Sequence, residues 1–219
     1  MEYLLFASAG IPFYILDSCF TYLNIQSPYY FMHVLHNLLV IYLAYPDVLS
    51  TFTDFHNLHT YSLNPNLPIL VTSFHMYHIV KYRKTLRYDD WLHHGLMIGV
   101  AIPLGVLATR TTTLMSYSLF WATGLPGAIT YFSLFLQRNG ILTRIQEKAI
   151  NTWMNVWIRS PGCVSLLALS LAYYGSSQEH LHLIGLFPSI LMYWNGQYFM
   201  NQAVIDYTMR FSKVTTEEV

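Results

Sequence analysis

The chain has 219 residues, of which 54% are hydrophobic, 16% aromatic and only 10% charged, where a soluble domain carries roughly 25% charged residues. Eleven Lys and Arg balance eleven Asp and Glu, so no excess of charge would draw the chain to nucleic acid or to an anionic lipid surface. This composition excludes a typical soluble domain and argues against a nucleic-acid partner; Cys19 and Cys163, both in apolar stretches, supply neither a disulfide framework nor a thiolate metal site.

Seven apolar stretches follow one another, at residues 3–23, 29–49, 67–82, 91–108, 112–137, 148–175 and 181–207, against the about 20 residues that cross a bilayer as a helix. Polar or turn-forming segments separate them: Gln26-Ser27-Pro28, Asn64-Pro65-Asn66, the charged run from Lys81 to Asp90, Arg138-Asn139-Gly140 and Gly175-Ser176-Ser177. Backbone groups in lipid must be bonded internally, and the stretches are too long for barrel strands of roughly ten residues. The expected fold class is therefore all-α, a polytopic membrane helix bundle of about seven transmembrane helices. The first stretch follows Glu2 rather than a basic region and contains Asp17, which predicts a retained helix rather than a secretory signal.

Orientation follows from the basic residues, which concentrate in cytoplasmic loops. With the N-terminus outside or luminal and the C-terminus cytosolic, nine of the eleven fall on the cytosolic side: Lys81, Arg83, Lys84, Arg87, Arg138, Arg144, Lys148, Arg210 and Lys213. Arg110 alone lies on the far side, and Arg159 lies within the sixth stretch.

Ionisable groups inside spanning helices are costly and face the bundle interior, which makes each a candidate site. In this orientation Asp17, His33, His36, Asn37, His75, His78, His93, His94, Asn151, Asn155, Arg159, Gln197, Asn201 and Asp206 all occupy cytosolic halves. Asn151, Asn155 and Arg159 stand at i, i+4 and i+8, Gln197 and Asn201 at i and i+4, and His33/His36 and His75/His78 at i and i+3, so each set forms one stripe. The predicted result is a polar cavity open to the cytosol and closed by an apolar outer half. Interhelical hydrogen bonding is the plainer role for any single Asn or Gln, but six His and an Arg at one depth exceed what helix packing requires.

Two chemistries compete for the histidines. A membrane di-iron oxygenase would need about eight His in clusters ending in HxxHH; the clusters here are HVLH, HMYH and WLHH, and His56, His59, His180 and His182 belong to the opposite side. No metal is expected. In the second chemistry a His acts as nucleophile or general base, Arg159 holds a carboxylate, phosphate or other oxyanion, and Asp206 or Asp17 orients a ring. A seven-helix receptor or retinal pigment fits the count of stretches, but no stretch has a Lys in its interior for a Schiff base.

The segment Tyr77 to Met97, YHIVKYRKTLRYDDWLHHGLM, resembles the TLC domain of ceramide synthases, translocating-chain-associated membrane proteins and related lipid-homeostasis proteins. His93 and His94 match that domain's His pair, His33 or His36 its first-helix His, and the run from Gly124-Leu125-Pro126 through Arg138-Asn139-Gly140 to Asn155 and Arg159-Ser160-Pro161 is similar to its later helices. The resemblance spans roughly residues 30–207. It implies a six-helix barrel over 29–207 around a cavity that takes a lipid chain, preceded by a first helix and connection (1–28), followed by a short polar cytosolic tail (208–219), and set in the endoplasmic reticulum or another internal membrane. For the ceramide synthases it implies acyl transfer from acyl-CoA, as co-substrate rather than resident cofactor, to a sphingoid amine. The chain departs from that subgroup at Met97, where those enzymes have Thr, and in a fifth stretch with no Asp or Glu. Two functions are therefore expected to compete. One is a membrane acyltransferase with His94 as nucleophile or base, His93 as its partner, the Lys81–Arg87 loop near the CoA phosphates, and His33, His36, His75, His78, Asn155, Arg159, Asn201 and Asp206 binding substrate. The other is a non-catalytic protein that binds or senses a membrane lipid or fatty-acyl chain in the same cavity.

Overall fold

The computed structural model describes residues 10–61, 64–108, 112–175 and 182–217. Glu2, Arg110, His180 and the Ser176-Ser177 segment lie outside the described residues. Among those described there is no strand. The described residues form seven main helices, α1 (Gly10–Tyr22), α2 (Pro28–Thr53), α3 (Asn66–Tyr82), α4 (88–108), α5 (Leu114–Arg138), α6 (Arg144–Gly175) and α7 (His182–Glu217), with a short 3-10 helix at Phe55–Thr60 between α2 and α3. Four helical segments, Pro28–Thr53, Asp90–Leu107, Leu114–Arg138 and Arg144–Gly175, are long and apolar enough to cross a membrane. Their outward surfaces carry Leu38, Tyr42, Leu107, Phe132, Trp157 and Leu171 exposed, an apolar exterior that water would not tolerate over such an area.

Local chemistry sets the helix ends. Pro28 starts α2 after Ser27, whose left-handed backbone (φ 57°) turns the chain. Asp54 closes the α2–α3 connection by accepting hydrogen bonds from Asn57 Nδ2 at 2.7 Å and the Tyr61 hydroxyl at 2.9 Å. That bond, favouring the protonated phenol beside a carboxylate, raises the Tyr61 pKa above its ordinary value. α4 opens one turn before its apolar stretch because the Arg87 backbone N–H donates to the Asp90 carboxylate at 2.9 Å. α6 opens with the reciprocal Thr143–Gln146 cap, after a turn in which Gly140 takes a positive φ of 74°. α7 continues through 208–217, with Arg210 donating to Asp206 at 2.7 Å, one turn back. The expected polar tail is thus the helical end of α7.

Three helices each contain a π-helical turn: Met97–Ala101 in α4, Phe120–Gly124 in α5 and Asn155–Arg159 in α6. α2 packs against α1, α3 and α5; α5 against α6; α6 against α7; α7 against α4; and α4 against α3. Small residues let these helices approach closely: a Cβ added at Gly196 would stand 2.7 Å from Cys163 Cβ. Val40, Ala44, Leu67, Val71, Ala101, Met115, Leu119, Leu166 and Met192 form the main apolar core. They belong to the second half of α2, the first half of α3 and the matching levels of the other helices, so the core occupies one half of the bundle and the histidines the other.

Candidate functional site

α2, α3 and α4 bring all six predicted histidines together. Ring centroids lie 5.3 Å apart for His33 and His78, 5.0 Å for His78 and His94, 5.4 Å for His75 and His94, 6.3 Å for His36 and His75, and 5.6 Å for His93 and His94. Two rings have a fixed tautomer. Nδ1–H of His33 donates to the Tyr29 carbonyl at 2.8 Å and Nδ1–H of His75 to the Val71 carbonyl at 2.7 Å, and because a carbonyl only accepts, Nε2 of each neutral ring is left as a proton acceptor. His36 stacks on Phe74 at 4.1 Å, with Nδ1 on the Asn37 side-chain oxygen at 3.1 Å and Nε2 unpartnered. His94 has Nδ1 shielded and unpartnered.

The side expected to open to the cytosol is filled by rings. Tyr131 lies 4.1 Å and Tyr29 4.3 Å from His33, and Tyr29 and Tyr82 lie 5.1 Å and 5.7 Å from His78. His33, His36, His78 and His94 are consequently buried, each 6% exposed or less. His75, His93, Tyr131, Arg159 and Phe199 each remain partly exposed. Of the His pair, His93 is therefore the more accessible and His94 the buried member.

Arg159 stands, partly exposed, at the end of the α6 π turn. Nη1 donates to Asn155 Oδ1 at 2.8 Å, and the guanidinium carbon lies 5.0 Å from the Phe199 ring, which is 5.8 Å from the His93 ring. Asn155 is held in turn through Nδ2, which donates to the Asn151 backbone and side-chain oxygens at 2.8 and 3.0 Å, while Thr130 from α5 donates to Asn151 at 3.2 Å. The stripe extends one turn further than expected, to the fully buried Glu147, which faces Lys148 at 3.3 Å. Glu147 lies four residues before Asn151, so the same spacing could have found it.

Three expectations need correction. Asn201 is exposed and stands about 160° around α7 from the buried Ala203, so it points out of the bundle; Gln197 turns inward and pairs with Ser160. Asp206 binds Lys148 at 3.0 Å and Arg210, which commits its carboxylate to the α6–α7 contact. Asp17, with no exposed surface, accepts from Tyr77 at 2.6 Å and Tyr82 at 3.0 Å and pairs with Lys81, so it ties α1 to α3 and orients no histidine. Among the described residues no group of three or more His, Cys, Asp or Glu is placed to hold a metal ion.

The fold is thus an all-helical bundle with four segments long and apolar enough to span a membrane, the make-up of an integral membrane protein. No family model, curated protein or solved structure matches the chain.

Proposed function

We propose that this is a multi-pass membrane protein of lipid metabolism, similar to TLC-domain proteins, that transfers an acyl chain from an acyl-CoA to a membrane lipid or sphingoid acceptor at the His93–His94 pair. The observation that carries this reading is the six-histidine cluster, in which the Nδ1 bonds of His33 and His75 leave Nε2 of each neutral ring as a proton acceptor and His75 and His93 are partly exposed. An imidazole in this setting takes the proton of an amine or hydroxyl as that group attacks the thioester carbonyl; the C–S bond breaks and CoA leaves as the thiol. The helix-to-helix contacts, which run from α2 through α3, α4, α7, α6 and α5 back to α2, support a six-helix barrel with α1 outside it. Seven crossings, a luminal N-terminus, a cytosolic C-terminus and residence in the endoplasmic reticulum or another internal membrane belong to the same reading, supported by the distribution of Lys and Arg.

A second reading, a non-catalytic protein that binds or senses the lipid, is favoured by one specific feature: Asp17 and Asp206 are committed to Lys and Arg partners and orient no histidine. Transfer of labelled acyl chains by purified protein in reconstituted membranes, with lipid binding measured in parallel, separates the two. Turnover lost in His93→Ala supports the enzyme; binding without turnover across acyl-CoA donors leaves the binding protein.

A further inference from the structure

The two fully buried carboxylates, Asp17 and Glu147, each face a lysine. Arg159 faces no carboxylate among the described residues: its polar partner is the neutral Asn155, and its Nε is shielded from solvent and unbonded. Guanidinium stays protonated, and a buried cation lacking a counter-ion is costly. Neighbouring side chains do not remove that cost. Phe199 offers only its ring face, Tyr131 a neutral phenol, and both Asn155 amide protons are spent on Asn151. The π turn over Asn155–Arg159, one of three among the described residues, ends on Arg159 and sets it, partly exposed, across Phe199 from His93; such turns recur at functional sites.

We infer that Arg159 seats an oxyanion of the ligand: the lipid that the protein takes is an acidic one, with a carboxylate or phosphate at its polar end on the guanidinium. This rests on the lipid reading above and narrows it to acidic lipids, against neutral alcohols and esters of the same chain. The arrangement is one-sided, since Arg159 supplies charge and donors and faces no carboxylate among the described residues.

The test uses the full-length protein in detergent micelles and four probes sharing one chain: oleate, oleoyl lysophosphatidate, oleyl alcohol and methyl oleate, with binding read by native mass spectrometry. At least one acidic probe should bind about tenfold or more tightly than the two neutral ones, as expected for a charge-assisted contact in a water-poor site. Preference for oleate identifies a carboxylate ligand, and preference for lysophosphatidate a phosphate. Arg159→Gln should reduce the acidic probes to the level of the alcohol, and Arg159→Lys should retain part of the preference. Asn155→Asp covers the case in which Arg159→Gln fails to fold: it places an acid where Oδ1 already stands 2.8 Å from Nη1 and should erase the preference by occupying the guanidinium. Equal binding of all four probes by wild type, or a preference that survives Asn155→Asp, overturns the inference and leaves the lipid reading standing. Failure of every probe to bind overturns both.

Discussion

His93 and His94 are adjacent in sequence but serve different surroundings, and their substitutions should separate accordingly. His93 is partly exposed beside Phe199, so His93→Ala should cut acyl transfer by about 10²- to 10⁴-fold, the worth of a general base, with little change in melting temperature. The His94 ring fills space between His75 and His78, so His94→Ala should leave a cavity and lower stability by about 1–3 kcal/mol, seen as a drop in melting temperature in detergent. A reversed pattern, with His94 dispensable for folding and His93 essential to it, would show that the pair has been read the wrong way round. Asp17→Asn should cost about 2–3 kcal/mol, because it leaves Lys81 facing a neutral group at a site with no exposed surface. The histidine spacings were legible: i, i+3 pairs on two helices and a pair opening a third converge as expected. Which member of the pair stays exposed was not legible, since that depends on how α4 is rotated against α7. The Gln197/Asn201 stripe failed for a related reason, as i, i+4 spacing defines a face without saying what it faces.

At the scale of elements, packing of α6 on α7 depends on side-chain absence at Gly196, where an added Cβ meets Cys163 Cβ at 2.7 Å and Sγ at 2.9 Å, whereas at Gly99 it meets nothing within 4 Å. Gly196→Ala should therefore force the helices apart and cost about 1–3 kcal/mol, while Gly99→Ala should leave thermal stability within about 0.5 kcal/mol of wild type. Equal melting temperatures for the two variants would contradict this close approach. Helix boundaries were readable to within a few residues where apolar content changes, as for α3 (66–82 against 67–82 expected). They were displaced where a polar cap or an ion pair extends the helix, at the starts of α4 and α6 and the end of α7. The three π turns carry no compositional mark, since one extra residue in a turn changes hydrogen bonding without changing hydropathy, and they were invisible until the backbone was known.

For the whole molecule, a histidine-rich half is separated from an apolar half, and the proposed orientation puts the histidine-rich half on the side that carries nine of the eleven basic residues. A reporter placed after Val219 should accordingly be cytosolic, and one inserted beside Asn57 should be protected on the far side; finding both on one side would leave an even number of crossings between them and remove the proposed orientation. Length and composition could not show that the polar half is plugged by Tyr29, Tyr82 and Tyr131, because aromatic residues read equally well as lipid-facing or core. The Asp17–Lys81 tie has a further meaning for how the protein is made. α1 is made before α3, and the cation and both tyrosine donors that its Asp17 carboxylate needs are encoded at the end of α3. During synthesis the place of α1 in the fold is thus provisional until α3 has followed it, and, on the proposed seven-crossing topology, a nascent chain halted before Tyr77 should be extracted by alkaline wash more readily than one halted after Arg83.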